Sequence, residues 1–463
     1  MLKKLSALIF TIMFAASLAA CNTSSGDNPS FVLSGTADAT ADEATVSEPQ
    51  TTAEKTTAAE TTAQEEASSD SDEEISYTQT EQVISTANTT SNGIIDASDL
   101  FTERDLTQTA DTYGARIFTV SDNQNISITS AGVYIIKGDA SNVTITIDAG
   151  DDDKVQLLLD GVSITNSGSP CVYVKNADKV FVTTASGSVN SLSVTGGFTA
   201  DGDTNTDAVI FSKDDLVLNG LGTLNISSTD NGITSKDDLK ITGGTINIDC
   251  VSDALEANDS IAVSDGSITI NSQKDGLHAE NDEDNSAGFV YICGGSFKIN
   301  ASSDGIQATT AAQIDGGTFD INSSEGIEAT FVQINGGTIN ISASDDGING
   351  SAKSSAYNVT VEINGGNITI NMGQGDTDGI DSNGNLYING GTINITGQSP
   401  FDYDGTANKT GGTIIVNGTQ TDTITNQMMG GGMMGGQMQN GNGMQGNNQM
   451  PNGSGTQNGF GRR

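Results

Sequence analysis

A short glycine-led motif recurs along most of the chain and constrains its fold more than any other feature. Gly-Gly-Thr-Ile-Asn-Ile, or a close variant of it, returns at steps of 20 to 29 residues. A repeat near 22 residues that is built from short alternating strands is typical of a solenoid, in which no single repeat can bury its own apolar face. The second glycine of each copy is Gly244, Gly266, Gly295, Gly317, Gly337, Gly366, Gly391 and Gly412.

Within one repeat, residues 325–344, apolar and polar side chains alternate in three brief runs. Glycine between the runs permits the positive φ of tight turns. We expect an all-β fold, a right-handed parallel β-helix with three short strands and about 22 residues in each rung, over about residues 120–418. Leucine-rich repeats share the period, but the sequence lacks their regular leucines and their helical half.

An acidic position recurs with the same period, in an Asp-Gly-Ile type triplet. Equivalent positions on neighbouring parallel strands lie about 4.8 Å apart, so a repeated acid becomes a column. The triplets begin at Asp207, Asn231, Asp253, Asp275, Asp304, Glu325, Asp346 and Asp378. Three residues further on, a second column contains Thr234, Glu256, His278, Gln307, Glu328, Asn349 and Asp381.

Stacked carboxylates repel one another unless a cation neutralises them. Ca²⁺ binds six to eight oxygen atoms, so carboxylates of neighbouring rungs can share one ion. The predicted ligands include the pairs Asp253 with Glu256, Glu325 with Glu328, and Asp378 with Asp381. The full set is Asp253, Glu256, Asp275, Asp304, Glu325, Glu328, Asp345, Asp346, Asp378 and Asp381. In the alternative, the first acid of each triplet only accepts hydrogen bonds from its own turn.

Insertions at residues 281–288, 351–358 and 372–377 border this acidic column. They either wall a shallow cleft or are tolerated loop growth. Tyr291 and Tyr387 fall in an outward column of the second strand, where their rings can stack on sugars. His278 is a further candidate contact to carbohydrate or metal.

The first twenty residues form a targeting signal. Lys3 and Lys4 precede an apolar run over residues 5–20, which is shorter than the roughly 20 residues needed to span a bilayer. The run ends in Leu-Ala-Ala-Cys, which resembles a bacterial lipobox with Cys21 as the lipidated residue. We therefore expect an extracytoplasmic protein that a lipid anchors to the bacterial cell membrane or cell surface.

The flanks of the repeat differ from it in composition. Residues 21–92 are an acidic tether of Ser, Thr, Ala and Glu, and residues 421–463 are a tail of Gly, Met, Asn and Gln, so both are predicted to be disordered around a domain at 93–420. The formal charge of −41 excludes nucleic acid as a partner. Three cysteines remain after lipidation, an odd number that argues against a disulfide framework. We expect a monomer.

The Asp-Gly-Ile triplets and Gly-Gly-Thr-Ile motifs, the lipoprotein signal and the Met- and Gly-rich tail together resemble a bacterial β-helix carbohydrate-binding family. The resemblance covers about residues 95–420. The clostridial prototype of that family is similar to pectate lyases. The resemblance implies binding of cellulose-like or acidic, pectin-like polysaccharide at the cell surface, with Ca²⁺.

An enzyme is the main alternative. A calcium-dependent pectate lyase needs Arg or Lys as the base that abstracts a proton. Residues 120–420 contain no arginine, and Lys274 is the sole candidate base beside the acidic column. Non-catalytic carbohydrate binding is therefore the leading hypothesis. A polysaccharide lyase and a structural adhesin stalk remain open.

Overall fold

The computed structural model describes residues 93–375 and 377–426. The predicted signal segment 1–20, the lipidation site Cys21, the tether up to residue 92 and the tail beyond residue 426 lie outside this part of the chain. The described part is almost entirely strand, with one short helix, α1 (Glu103–Leu106). No helix in it is long and apolar enough to cross a membrane.

The strands stack in three ladders, and nearly all pairings are parallel. Each strand pairs with the equivalent strand of the next rung, where a rung is one turn of the repeat. Ladder 1 is the ladder that contains the acidic triplets, at or near the start of its strands from β9 onwards. Its members are β2 (Ile126–Ile128), β4 (Ile145–Asp148), β6 (Val172–Asn176), β9 (Ala208–Ser212), β12 (Asn231–Ser235), β15 (Leu255–Ala257), β18 (Leu277–Ala279), the first parts of β21 (Asp304–Ile314) and β23 (Glu325–Ile334), β25 (Asp346–Gly350), β28 (Asp378–Ser382) and β31 (Ser399–Tyr403).

Ladder 2 follows ladder 1 in each rung. Its members are β1 (Arg116–Thr119), the first parts of β3 (Gly132–Ser141) and β5 (Lys154–Asn166), β7 (Lys179–Thr184), β10 (Asp215–Gly220), β13 (Asp238–Ile241), β16 (Ser260–Val263), β19 (Phe289–Ile292), the second parts of β21 and β23, β26 (Thr360–Ile363), β29 (Asn385–Ile388) and β32 (Ala407–Lys409).

Ladder 3 completes each rung and carries the Thr-Ile-Asn-Ile strands. Its members are the second parts of β3 and β5, β8 (Val189–Val194), β11 (Thr223–Ser228), β14 (Thr245–Cys250), β17 (Ser267–Ser272), β20 (Ser296–Asn300), β22 (Thr318–Ser323), β24 (Thr338–Ala343), β27 (Asn367–Met372), β30 (Thr392–Thr396) and β33 (Thr413–Val416). The last strand, β34 (Thr419–Thr421), pairs antiparallel with β33.

These ladders confirm the predicted all-β repeat architecture: a long, mostly parallel sheet that is not closed and winds as a solenoid, consistent with a β-helix. The right-handed winding stays a prediction. Inward side chains stack in columns, as Ile299, Ile321 and Ile341 do in ladder 3, all essentially without solvent exposure. Burying each such side chain contributes about 1.5 to 3 kcal/mol relative to leaving it exposed.

The paired glycines are required by the turn that enters ladder 3. The second glycine has a positive φ, for example 92° at Gly337 and 89° at Gly366. Residues with a Cβ rarely adopt such a backbone conformation. The first glycine packs against the preceding rung, where a Cβ on Gly336 would lie 2.4 Å from the carbonyl oxygen of Asp315. The repeat therefore needs both glycines, for different reasons.

A segment before the first rung, residues 93–108 (the strap), lies across the outer surface of ladder 2. At one end the backbone N–H of Ile95 donates to Gln313 Oε1 at 2.8 Å. At the other end Gln108 Nε2 donates to the carbonyl of Thr242 at 2.9 Å. These contacts connect positions more than 130 residues apart in sequence, and the strap covers part of the outer surface of ladder 2.

The strap is held by a buried charge as well as by hydrogen bonds. Asp105 in α1 is fully buried, and its Oδ1 lies 3.4 Å from Lys179 Nζ. The guanidinium of Arg104 lies over the ring of Phe181, 4.4 Å from its centroid. Removing one partner of a buried ion pair typically costs about 3 to 5 kcal/mol, so the strap is an integral part of the fold.

Candidate functional site

The triplet acids of ladder 1 are connected from rung to rung by hydrogen bonds. Asp253 Oδ1 accepts the backbone N–H of Asp275 at 2.9 Å, and Asp275 Oδ1 accepts that of Asp304 at 2.9 Å. Asp346 Oδ1 accepts the backbone N–H of Asp378 at 3.1 Å. These three acids therefore do accept hydrogen bonds, but from the backbone of the next rung. One oxygen of each of the three carboxylates has this structural role, which leaves the other oxygen for further interactions.

The second column lies beside the first in the predicted register, from Thr234 to Asp381. Its side chains reach both their own triplet and the preceding one. His278 Nδ1 lies 3.7 Å from Asp275 Oδ2 of its own rung and 3.6 Å from Asp253 Oδ2 of the rung before. Contacts across rungs therefore assemble the site.

The first group that could hold a metal ion consists of Asp253, Asp275 and His278, whose candidate ligand atoms lie within 4.8 Å of one another. Both carboxylates are buried, and the His278 side chain is 17% exposed. Burial alone lowers the pKa of His278, but the neighbouring Asp253, Asp275 and Glu280 raise it above its ordinary value. Burial raises the pKa of Asp275. Burial also acts to raise the pKa of Asp253, but the contact with His278, the backbone N–H of Asp275 and the charge of Lys274 together lower it below its ordinary value.

The second group consists of Asp304, Glu325 and Glu328. Burial, and then the charges of Asp275, Glu325 and Glu328, raise the pKa of Asp304 to about 8. Burial is also the main cause of the raised pKa of Glu325. Such shifts mark carboxylates whose charge is poorly compensated, and a bound cation would relieve them.

A lysine on the second insertion reaches this group. Lys353 Nζ lies 2.7 Å from Glu328 Oε2, and the hydroxyl of Ser351 donates to Glu328 Oε1 at 2.7 Å. Gln307, with its amide oriented to satisfy its neighbours, accepts from Lys353 Nζ at 2.6 Å and donates to His278 Nε2 at 3.1 Å. Gln307 thus connects the two groups.

Further along the column, Asp346 and Asp381 repel neighbouring carboxylates. Burial, followed by nearby negative charges, raises the pKa of each to about 7. Asp378 contributes to the shift of Asp381, and Asp345, which is exposed, contributes to that of Asp346. This acidic end is electrostatically strained, although its ligand atoms do not converge as closely as those of the first two groups in the described residues.

The structure corrects the predicted pairing of Glu256 with Asp253. Glu256 Oε2 accepts from the hydroxyl of Thr234 at 2.9 Å and also from Asn231 Nδ2, and its Oε1 lies 3.0 Å from Lys236 Nζ. Glu256 reaches towards the preceding rung, where donors already neutralise it. Asp253 converges with Asp275 and His278 instead.

The prediction that Tyr291 offers a ring for sugar stacking is wrong. Tyr291 is completely buried, because the strap covers it, with the Phe101 ring 6.4 Å from its own. Its hydroxyl donates to Asp315 Oδ2 at 2.9 Å. Tyr387 lies in the same column, paired with Glu362, and is half-buried. Its contact with carbohydrate stays a prediction.

Lys274 is also not the sole lysine beside the acidic column. Its side chain is 61% exposed, and its Nζ lies 3.7 Å from Asp253 Oδ2. Lys353 and Lys236 approach the second column more closely. Sequence spacing missed Lys353 because it lies in an insertion, where the repeat no longer fixes the register.

The first two insertions lie against each other. Asn285 Nδ2 donates to the hydroxyl of Ser355 at 3.3 Å, and the hydroxyl of Ser354 donates to Asn285 Oδ1 at 3.1 Å. The backbone N–H of Ser354 also donates to the Thr330 hydroxyl at 2.9 Å. Together they form one border beside ladder 1, in agreement with the idea of a wall.

The structure also contains a third acidic group, which the repeat pattern did not predict. Asp215, Asp237 and Asp238 converge at the start of ladder 2. A Lys-Asp-Asp-Leu motif at residues 213–216 and 236–239 was the available signal. Lys179 Nζ lies 3.6 Å from Asp215 Oδ2 and Lys240 Nζ lies 3.9 Å from Asp238 Oδ2, so lysines already compensate part of the charge.

The donor chemistry distinguishes the groups. Asp304, Glu325 and Glu328 offer oxygen ligands alone, which suits the hard cation Ca²⁺. The group with His278 adds an imidazole, a ligand that transition metals favour. The three remaining cysteines, Cys171, Cys250 and Cys293, are free and buried, so they take no part in either group.

The chain matches the profile of the carbohydrate-binding domain-containing protein family over residues 122–379 and again over residues 324–440. These matches span well over half of the sequence. The chain belongs to this carbohydrate-binding family. Membership supports carbohydrate binding, with a polysaccharide as the partner.

A carbohydrate-binding domain-containing protein from Acetivibrio thermocellus is 36% identical to this family member over 129 residues. That alignment covers 27% of the present chain and 45% of the relative, so it spans less than half of the relative's length. A solved structure, the gadolinium derivative of the polysaccharide lyase-like protein from C. thermocellum, is 30% identical and covers 49% of this chain and 96% of its own. Its TM-score is 0.45, and the fold described above rests on the strand pairing alone.

Proposed function

We propose that this protein binds acidic polysaccharide through Ca²⁺ held on the outer columns of ladder 1, without catalysing a reaction. The observation that carries the proposal is that the carboxylates of Asp304, Glu325 and Glu328 converge on two neighbouring rungs. Among the described residues, Lys353 is the only lysine or arginine paired with this group. Each added cation would lower the repulsion that raises the pKa of Asp304.

The ligand follows from the same electrostatics. A uronate polymer carries carboxylates and would be repelled by this surface in the absence of metal. Ca²⁺ accepts more oxygen ligands than a rung provides, so it can be shared between the protein and the polymer. Binding would therefore require the metal and would be lost when a chelator removes it.

The lysines favour binding over β-elimination. Lys353 is ion-paired with Glu328, and Lys274 lies beside Asp253. An ammonium group that is paired with a carboxylate has no lone pair with which to abstract a proton. Amino groups are therefore present at the site, but their ion-paired state does not favour their acting as the base of a lyase.

Attachment to the cell completes the proposal. Lipidation at Cys21 would tether the solenoid to the outside of the bacterial membrane, with residues 21–92 as spacer. A monomer suffices, since the site is built from one chain.

The test is retention of the full chain on immobilised polygalacturonate, in Ca²⁺ and in chelator. We expect retention in Ca²⁺ alone, and a loss of at least tenfold in affinity, about 1.4 kcal/mol, for Asp304→Asn. The matched control is Asp320→Asn, which removes an exposed carboxylate on ladder 3. Ultraviolet absorbance of unsaturated product, monitored in the same samples, should stay flat. Retention that ignores the chelator, or product formation that Lys274→Ala abolishes, would contradict the proposal.

A further inference from the structure

The ion pair that holds the strap differs in burial from the other lysine–carboxylate pairs of the molecule. The side chains of Lys179 and Asp105 are 10% and 0% exposed. In every other lysine–carboxylate pair of the described residues, at least one of the two side chains is 22% exposed or more. Removing two charges from water costs free energy even when they are paired. A neutral product of the two groups would avoid this cost.

The contacts of α1 hold the carboxyl group of Asp105 in one position. Its Oδ2 accepts the backbone N–H of Thr102 at 2.9 Å, within the capping box of the helix. Its backbone carbonyl accepts from the hydroxyl of Thr242 and from Asn219 Nδ2. Held in this way, Asp105 directs Oδ1 at Lys179 Nζ, at a distance of 3.4 Å.

A second carboxyl group, that of Asp215, is also within reach of the Lys179 ammonium group. Lys179 and Asp215 are direct partners in the register of β7 and β10, and Lys179 Nζ lies 3.6 Å from Asp215 Oδ2. Burial, followed by the charges of Asp238 and Asp237, raises the pKa of Asp215 to about 6, against the opposing charges of Lys179 and Lys240. Such a carboxyl group can both accept and donate a proton near neutral pH.

An amine, a carboxyl group and a proton carrier therefore lie together in a site that is nearly closed to water. We propose that Lys179 and Asp105 react with each other, and that an amide bond between Lys179 Nζ and Asp105 Cγ joins the strap covalently to the solenoid. The modification involves this chain alone and needs no cofactor. It does not depend on the calcium and carbohydrate sites of ladder 1.

The reaction is a condensation that releases one water molecule. Asp215 first passes a proton from the Lys179 ammonium group to Asp105 Oδ1, which gives a neutral amine and a carboxylic acid. The lone pair of Nζ then forms a bond to Cγ, and the N–H of Thr102 stabilises the negative charge that develops on Oδ2. Asp215 carries a second proton from Nζ to Oδ1, the Cγ–Oδ1 bond breaks, and water leaves. Asp215 returns to its initial protonation state, and nothing is oxidised or reduced.

The fold supplies the conditions that this condensation lacks in water. Reacting groups that are held in contact and well oriented reach effective concentrations of about 10⁵ to 10⁸ M. Burial keeps bulk water from hydrolysing the product. The amide also retains Oδ2 as the acceptor for the N–H of Thr102, so no buried hydrogen bond is lost.

The bond lies close to the point where the chain enters the solenoid. It closes a ring between two positions that are 74 residues apart in sequence. A pull on the chain that precedes residue 93 reaches the strap before it reaches any rung. An ion pair under such a pull can separate, whereas an amide bond keeps the strap on ladder 2.

The test is a tryptic digest of the denatured full chain, analysed by tandem mass spectrometry. Trypsin cleaves after Arg104 and Arg116, but it cleaves after Lys179 only if that side chain is free. We expect a branched peptide in which residues 105–116 are joined to residues 176–213, lighter by one water molecule than the sum of the two. Recovery of 105–116 and 176–179 as free peptides would overturn the proposal and leave a structural ion pair only. The wild-type digest decides the proposal even if a variant does not fold.

A substitution of Lys179 tests the nucleophile. Lys179→Met should release 105–116 as a free peptide. The control is Lys154→Met, which changes the exposed neighbour of Lys179 in the register and should still give the branched peptide. Circular dichroism checks that both variants fold. A branched peptide that persists in Lys179→Met would overturn the assigned bond.

A substitution of Asp215 tests the proton carrier, with the branched fraction followed over time in freshly synthesised chain. Asp215→Asn should slow bond formation at least tenfold, because a positioned acid–base group typically contributes about 10² to 10⁴ in rate. The control is Asp178→Asn, which removes a partly exposed carboxylate next to Lys179 in sequence that pairs with Lys154. It should react at the wild-type rate. Equal rates in Asp215→Asn and the wild-type chain would overturn the role of Asp215.

Discussion

The outer columns of ladder 1 and of ladder 3 both lie on stacked parallel strands, and they differ most in the side chains that the repeat places outward. In ladder 1 the repeated residue is a carboxylate, and Asp253, Asp275 and Asp304 are buried against neighbours of the same charge. In ladder 3 it is a hydroxyl or an amide, such as Asn340, which stays exposed. Because equivalent residues stack at strand spacing, the same interaction recurs at every rung. This interaction is repulsion between carboxylates in ladder 1 and hydrogen bonding by uncharged groups in ladder 3.

This difference explains why the proposed calcium site lies on one face alone. Asp253 and Asp275 each accept a hydrogen bond from the backbone of the next rung through one carboxylate oxygen, which keeps them in place despite the repulsion. The uncharged groups of ladder 3 do not repel one another, so they need no cation. The predictions below test whether the two faces are as distinct as their side chains indicate.

The largest effect is expected from removing charge within the second group of ladder 1. Combining Asp304→Asn with Glu325→Gln deletes two of the proposed calcium ligands, and we expect Ca²⁺ affinity at this site to fall at least tenfold, about 1.4 kcal/mol. Calorimetric titration measures it. The matched pair Asp249→Asn with Asp320→Asn removes the same charge from ladder 3 and should leave the titration unchanged. An equal loss of Ca²⁺ affinity in both variants would contradict the proposed difference between ladder 1 and ladder 3.

Stability should depend on pH in the opposite way to that of a protein with ordinary, paired carboxylates. The folded-state pKa values of Asp304, Asp346 and Asp381 are raised to about 8, 7 and 7, so the folded state binds more protons than the unfolded state. The free energy of unfolding should therefore fall as the pH rises from about 4 to about 8. In chelator the melting temperature should be several degrees lower at pH 8 than at pH 5, at about 2 to 4 °C for each kcal/mol.

The raised pKa of His278 acts in the same direction, since its extra stability is present at low pH and is lost as the pH rises through its folded-state value. The lowered pKa of Asp253 acts in the opposite direction, but it is one group against several. Saturating Ca²⁺ should remove most of the pH dependence. A melting temperature in chelator that rises from pH 5 to pH 8 would contradict the account of the acidic columns.

A smaller effect is expected at Lys353, whose ammonium group lies where it would repel an incoming cation. Lys353→Met should raise Ca²⁺ affinity about fivefold, about 1 kcal/mol. Lys298→Met is the control, since Lys298 lies beside an acid on ladder 3 and far from the candidate ligands in the register. Weaker calcium binding in Lys353→Met would show that Lys353 organises the ligands and does not compete with the ion.

The smallest effect is expected from neutral exchange on ladder 3. Thr338→Ser keeps the hydroxyl and the exposure, so the free energy of unfolding should change by less than about 0.5 kcal/mol. Chemical denaturation measures it. A larger change would mean that the outward side chains of ladder 3 stabilise the fold more than their exposure suggests.

The repeat made much of this molecule predictable. The glycine pairs and the triplets fix the register, so the column from Thr234 to Asp381 and the grouping of Glu325 with Glu328 followed from the sequence. Contacts between rungs were harder to foresee. Glu256 reaches Asn231 and not Asp253, because side chains of the second column lean towards the preceding rung.

Features outside the repeat could not be predicted in the same way. The strap has no periodicity, and its partners, such as Gln313 and Thr242, are more than 130 residues away in sequence. No local sequence pattern therefore indicated that it would cover Tyr291. Lys353 reaches Glu328 from an insertion, where sequence spacing no longer reports position. In each case the missing information was the path of a segment over the surface of the solenoid.

The most direct test of the central claim is a crystal structure of the protein grown in Ca²⁺, with an anomalous difference map. We predict a calcium peak among Asp304, Glu325 and Glu328, with Lys353 displaced from Glu328, and no peak on the outer surface of ladder 3. A map without a peak on ladder 1, or with its strongest peak on ladder 3, would contradict it.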